Sequence, residues 1–284
     1  MKTLRSQKKP LLLTAALALA AAGGAAAWLL ARPAPIWPDD AFQLHAPTVG
    51  EAPASTTAKI YLDAGHGAKG NTGNRSSLCQ DEQDFTLSLA EQIAPRLRSR
   101  HGFEVTISRR AGELVDYRSR VAAAEAWGAD AFVSLHSDIR GSAETTEPCP
   151  TSRAAPGFSV LWSDVGPEPL NRRRLDLARA TARALARLGL PAYHGHDYAG
   201  LYDPDAGGEE GVFVDRHEPE KRIFVLWKPA IPSIIIETHN ALDDREARRW
   251  NDDETRLAFA DALGLALAEV LSTRSAHAPH TTLR

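Results

Sequence analysis

Cysteine is nearly absent, with Cys79 and Cys149 the only two in 284 residues. That count and spacing exclude a structural zinc knot, which clusters thiolates at short intervals. A single disulfide closing a loop of about seventy residues, or two unpaired thiols, are the outcomes left open. A basic excess is missing as well. The 33 basic and 36 acidic residues give −3, and with Lys2, Arg5, Lys8 and Lys9 set aside 29 face 36, or −7. No nucleic-acid footprint exists at that balance. Internal repeats are also absent, which excludes a solenoid or propeller.

What the chain does have begins at its N-terminus. Four cations without an acid precede an apolar run from Leu11 to Leu30, the pattern of an export signal, either cleaved near Ala25-Ala26-Ala27 or kept as a membrane tether. Residues 1–31 are therefore read as signal peptide or signal anchor, and the rest is expected in the periplasm or cell envelope, secreted or anchored. Residues 32–58, rich in Pro, Ala and Thr, read as a linker reaching away from the membrane. Residues 272–284 read as a flexible tail in which His277 and His280 are solvated surface histidines.

Between these flanks, residues 59–271 alternate short apolar runs with helical periodicity. Strands are expected at Lys59–Asp63, Phe103–Ile107, Ala131–Leu135, Gly157–Trp162, Arg222–Leu226 and Ser233–Ile236. Phe85, Leu89, Ile93 and Leu97 recur every four residues and predict a helix over about 82–100, kinked or shortened at Pro95. Further helices are expected over 115–127, over 170–188 and from about Thr255 to Leu271, and Arg172, Arg173 and Arg174 read as a solvated helix face. The alternation predicts one α/β domain, a mostly parallel twisted sheet flanked by helices on both faces.

In such a sheet the loops at the carboxyl ends of the strands form the binding crevice. Those ends carry Asp63 with His66, His136 with Ser137 and Asp138, and Glu237 with His239 and Asn240. Hydrolytic zinc sites use three nitrogen or carboxylate ligands and keep one position open. His66 lies between Gly65 and Gly67, which permit a tight turn, and His136 ends a strand. Glu82 is the third ligand of choice because it opens the helix whose apolar stripe starts three residues later at Phe85, on the same face.

These residues fall in an order that resembles the zinc-dependent N-acetylmuramoyl-L-alanine amidases, cell-wall hydrolases of amidase type 3. Asp63-Ala64-Gly65-His66-Gly67 resembles the first ligand motif of that family, and Glu82-Gln83-Asp84-Phe85 its ligand glutamate. Thr106-Ile107-Ser108-Arg109, then Arg120, Ala124 and Ala129-Asp130, keep its spacing. Ser134-Leu135-His136-Ser137-Asp138 resembles the third ligand motif, Gly157-Phe158-Ser159-Val160 the strand after it, and Pro232 to Glu237 the last strand, whose glutamate is catalytic. The resemblance implies one Zn²⁺ on His66, Glu82 and His136, Glu237 as general base, and peptidoglycan as substrate, cut between N-acetylmuramic acid and L-alanine. A regulatory protein partner is a further expectation.

The chain departs from the family after Glu237, where Thr238-His239-Asn240 replaces the usual glycine and phenylalanine before a Ser-Asn pair, and at Glu125, where the family has Asn. His239, Asn240 and Arg120 are candidates for substrate contact or for support of the ligands, and a buried structural histidine is an equal reading of His239. Segments 138–156 and 190–220 are inserted or divergent. The second, with His194, His196, Asp197, Asp203, Asp205 and His217, reads as a polar substrate-facing or gating loop and not as another metal site. Two other functions fit the same sequence: a wall-binding or regulatory protein without turnover, and a zinc amidohydrolase of small N-acyl amino acids.

Overall fold

β1 (Lys59–Ala64) is buried along five of its six residues, as expected of a strand covered on both faces. In the computed structural model, which describes residues 44–48, 58–143 and 148–272, it lies inside a seven-stranded sheet ordered β2-β1-β3-β7-β4-β6-β5. β2 (Glu104–Ile107), β1, β3 (Ala131–Asp138) and β7 (Ser233–Asn240) run parallel, and β4 (Ser159–Trp162) joins β7 antiparallel. β6 (Val212–Asp215) is parallel to β4, and β5 (Tyr202–Pro204) closes the edge antiparallel to β6.

Alternation along the strands divides the core in two. Ile60, Leu62, Val133, Leu135, Ile234 and Ile236 face α1 (Glu82–His101), α3 (Glu168–Arg187) and α6 (Asp253–Ser272). Tyr61, Phe132 and Ile235 face α2 (Tyr117–Trp127) and the four-residue α4 (Phe224–Trp227). The short α5 (Asp244–Trp250) follows β7, and the Asp243 carboxylate caps it by accepting from the amides of Arg245 and Glu246.

Several expectations are corrected. α1 runs on to His101 without being shortened at Pro95: the proline is exposed, so the hydrogen bond it removes is lost on the solvent side, where water replaces it. Arg222–Leu226 is no strand; a 3-10 turn at Pro219–Lys221 and α4 stand there, because a short apolar run between prolines suits a buried helical turn as well as a strand. Segment 190–220 is not a free loop, since it supplies β5 and β6. Arg174 is no solvated cation: it is fully buried and donates to the carbonyls of Ser163, Val165, Trp227 and Pro229, tying two loops to α3. Part of the linker is held as well, with Leu44 packed on the core and the His45 amide donating to Leu188 O.

Residues 1–31, where an export signal is expected, most of residues 32–58 and the tail beyond Ser272 lie outside the described residues, among which no helix is long and apolar enough to cross a membrane. Cys79 and Cys149 are bonded, with Cα atoms 5.4 Å apart. The bond fastens the segment before β4 to the turn that leads into Glu82. Restricting so long a loop in the unfolded chain stabilises the fold by about 4 kcal/mol in the chain-entropy picture. Cys149→Ser is accordingly expected to lower the urea midpoint by an amount close to that seen on reducing the wild type, and an unchanged midpoint would refute this.

Candidate active site

The turn after β1 is set by two arginines. Arg120, fully buried, pairs with Asp63 at 3.0 Å and donates to the carbonyls of Ala64 and Val115 and to that of His66. Arg109 donates to the carbonyls of Ala64 and Gly65, each at 3.0 Å. Three consecutive carbonyls thus turn toward guanidinium groups, and His66 takes a left-handed φ of 58°, a conformation that costs a residue with a Cβ about 1 kcal/mol or more. Gly65 is required here because a Cβ would stand 2.5 Å from the His136 ring. Gly73, with φ +77°, passes equally close to the Glu82 carboxylate and the His66 ring.

His66, Glu82 and His136 meet with their donor atoms within 4.8 Å of one another. His66 Nδ1 lies 2.8 Å from Asn71 Oδ1, which also accepts from the Gly73 amide. The hydrogen of that ring is therefore assigned to Nδ1, leaving the Nε2 lone pair directed inward. His66 Nε2 is 3.2 Å from His136 Nδ1 and 2.9 Å from Glu82 Oε2, and His136 Nδ1 is 3.0 Å from Glu82 Oε1. Glu82 is further held by the Ser137 amide and by the amide and side chain of Asn74.

Burial alone would raise the Glu82 carboxyl, but hydrogen bonds from His136 and His66 outweigh it and hold the group well below the ordinary carboxylate range. Burial likewise opposes charge on both histidines, while Glu82 raises their proton affinity. Two imidazole nitrogens and a carboxylate converging on one point form a nest for a cation. The donor types and count fit Zn²⁺ with a position left open.

Glu237 stands opposite His136 in the parallel register of β3 and β7, so both side chains emerge on the same face of the sheet. Its Oε2 is buried without a hydrogen-bond partner. Burial, with the Asp138 charge next, pushes its carboxyl up to about 8 against the opposing pull of His136. A cavity of about 460 Å³ opens over the group, lined by His66, Glu82, His136 and Glu237 and walled by Tyr117, Ile139, Ile223, Phe224 and Ile235.

The other candidates lie beneath this cavity. One residue of β3 faces two of β7 between the His136 and Asn240 registers, a β-bulge that turns His239 to the far face. There it packs between Phe85 and Trp250, its Nδ1 2.9 Å from Thr238 Oγ1, and burial depresses its pKa to about 3. Asn240 bonds Arg140 and the backbone of Ala154 and Leu242, and Arg120 is the support already described. None of the three lines the cavity. In the 190–220 segment, Asp205 pairs with Arg179 and Asp215 with His217. Among the described residues the only metal-competent cluster is His66, Glu82 and His136. Asn71, Asn74 and Tyr117 went unnoticed in the sequence, where an Asn in a Gly-rich turn is the single clue to them.

Comparison with known proteins agrees with this geometry. A sporulation-specific N-acetylmuramoyl-L-alanine amidase of Bacillus subtilis (strain 168) is 35% identical over 112 residues, 38% of this chain and 37% of that relative's length. Among solved structures, the N-acetylmuramyl-L-alanine amidase Ami1 of Mycobacterium smegmatis superposes with a TM-score of 0.60 at 22% identity, covering 77% of this chain and all of that one. The CwlD amidase of Clostridioides difficile, solved in complex with the GerS lipoprotein, gives 0.54 at 18%, covering 76% and 99%. At these identities the two structures speak for the fold. The family model described as N-acetylmuramoyl-L-alanine amidase matches residues 60–269, most of the chain and every residue of the site, and the chain belongs to that family.

Proposed function

We propose that this chain hydrolyses the amide bond between N-acetylmuramic acid and L-alanine in peptidoglycan, with one zinc ion held by His66 Nε2, Glu82 and His136 Nδ1. The observation that carries the hydrolytic reading is Glu237: a carboxylate with a buried, unpartnered oxygen, facing the same cavity as a three-donor nest. When bound, zinc supplies electrophilic polarisation of the scissile carbonyl and activation of water. Glu237 accepts a proton from the attacking water and delivers it to the L-alanine nitrogen as the C–N bond breaks. Asn71, Asn74 and the Ser137 amide keep the donor atoms aimed inward, and Ile223, Phe224 and Ile235 give the cavity an apolar wall.

An exported, envelope location belongs to the same proposal and rests on the cationic N-terminus and the apolar run from Leu11 to Leu30, cleaved or kept as a tether. A regulatory protein partner is proposed on the precedent of CwlD with its lipoprotein.

The test is zinc content and product analysis on the full chain. One zinc per chain is expected, with release from purified peptidoglycan of peptides bearing a new L-alanine amino terminus, abolished by chelation and restored by zinc. A zinc-loaded chain that frees no peptide from the polymer but cleaves small N-acyl amino acids would replace this reading.

A further inference from the structure

The hydrogen bonds behind His66 leave one donor without an acceptor. Asn71 Oδ1 is taken by His66 Nδ1 and the Gly73 amide, which fixes the orientation of the amide group. Its Nδ2 therefore donates to the Tyr117 hydroxyl, at 2.8 Å. A phenol carries a single hydrogen, and an oxygen already accepting from Asn71 must place that hydrogen elsewhere. No protein acceptor for it lies within hydrogen-bond distance among the described residues. Tyr117 lines the cavity with His66, Glu82 and Glu237, and its ring is held from behind by the Arg120 guanidinium, 5.1 Å from the ring centroid. The phenol also keeps its proton at neutral pH, since burial raises it above its ordinary value.

We propose that Tyr117 is a further catalytic residue of the hydrolysis, its O–H donating to the scissile carbonyl oxygen as that oxygen gains negative charge. This rests on the amidase reading. The water oxygen bonds to the carbonyl carbon, the π pair moves onto the carbonyl oxygen, and it returns as the C–N bond breaks. The water proton travels through Glu237 to the nitrogen, and Tyr117 keeps its own throughout. A preorganised donor aimed at developing charge acts on the transition state more than on the bound substrate. Asn71 is the positioning residue, because its donation to the phenol oxygen turns the phenol hydrogen toward the cavity.

The bland alternative is that Tyr117 only props Asn71 and thereby His66. Two variants separate these roles. Tyr117→Phe removes the donor and keeps the ring. Asn71→Asp keeps the acceptor for His66 but also accepts from Tyr117, drawing the phenol hydrogen away from the cavity, while a carboxylate behind a ligand histidine holds metal at least as well. Zinc affinity is measured by chelator competition, and kcat and KM on a soluble muropeptide at saturating zinc, all on the full chain.

Tyr117→Phe is expected to lower kcat by about 100-fold with KM and zinc affinity unchanged. Asn71→Asp is expected to lose kcat similarly despite full zinc binding, and the double variant to be no worse than the poorer single. A Tyr117→Phe kcat within about threefold of wild type overturns the proposal. So does a loss that follows zinc affinity and is restored by excess zinc. If the zinc-loaded wild type frees no peptide at all, the amidase reading itself has failed, which the variants alone could not produce.

Discussion

Replacing Glu237 by glutamine is expected to lower peptide release by about a thousandfold, the scale of a lost general base, with zinc still bound in stoichiometric amount. The amide matches the carboxylate in size and fills the same place on β7, so His136 across the register and the cavity wall have no cause to move. What is lost is the basic oxygen: a carboxylate atom that is buried without a partner can no longer take a proton. Activity retained within about tenfold would remove Glu237 from the role of base.

The pH dependence has a definite sign. Burial and the Asp138 charge raise the Glu237 carboxyl in the folded chain to about 8. A carboxyl raised on folding contributes stability below its unfolded pKa, and that contribution is lost as pH rises through the folded value. Glutamine removes this penalty, so the metal-free variant should be more stable than metal-free wild type near neutral pH, by a margin that grows from about pH 4.5 upward and levels off at about 8. A bound dication draws the carboxyl back down. The acid limb of wild-type kcat/KM should therefore lie below 8 and be missing from the residual activity of the variant. The active site would then hold its base at a cost in stability.

How far the sequence could be read follows from where each residue sits. His66, Glu82 and His136 were legible because each stands where a strand ends or a helix starts, and a parallel sheet gathers such positions at one edge. The central strands were legible through their unbroken apolar runs. Val212–Asp215 is only four residues long and was lost in a polar surrounding, while Phe224–Trp227 offered no periodicity to separate a helical turn from a strand. His239 stays open in the sequence between a substrate contact and a buried structural role, because period-two counting assigns it to the face of Glu237 and only the bulge breaks that count. Arg174 looks like an ordinary helix cation, and Arg120 is marked out only by the family spacing. Only the folded chain shows them surrounded by carbonyls, since which loop ends meet a helix depends on the tertiary packing.

Arg120 also gives the largest expected loss of stability. Arg120→Ala is expected to cost about 3–5 kcal/mol, the range for breaking a buried ion pair by removing one partner. Asp63 would remain fully buried with the Ser134 hydroxyl as its side-chain donor, and the carbonyls of Ala64, His66 and Val115 would lose the group they converge on. Arg120→Lys should recover little, because one ammonium cannot span a carboxylate and three carbonyls as a planar fork does. Urea unfolding measures the stability, and a loss below about 1 kcal/mol for the alanine variant would contradict the buried pair as a keystone. The same substitution should weaken zinc binding, which ordinary surface arginines would not do. Arg120 is the side chain that holds the His66 carbonyl, and without it the left-handed turn is left to the backbone bonds of Gly65 and Gly67 and to Arg109 at the Ala64 and Gly65 carbonyls. Fold stability and metal affinity should therefore fall together in this variant, while Glu237→Gln separates activity from both.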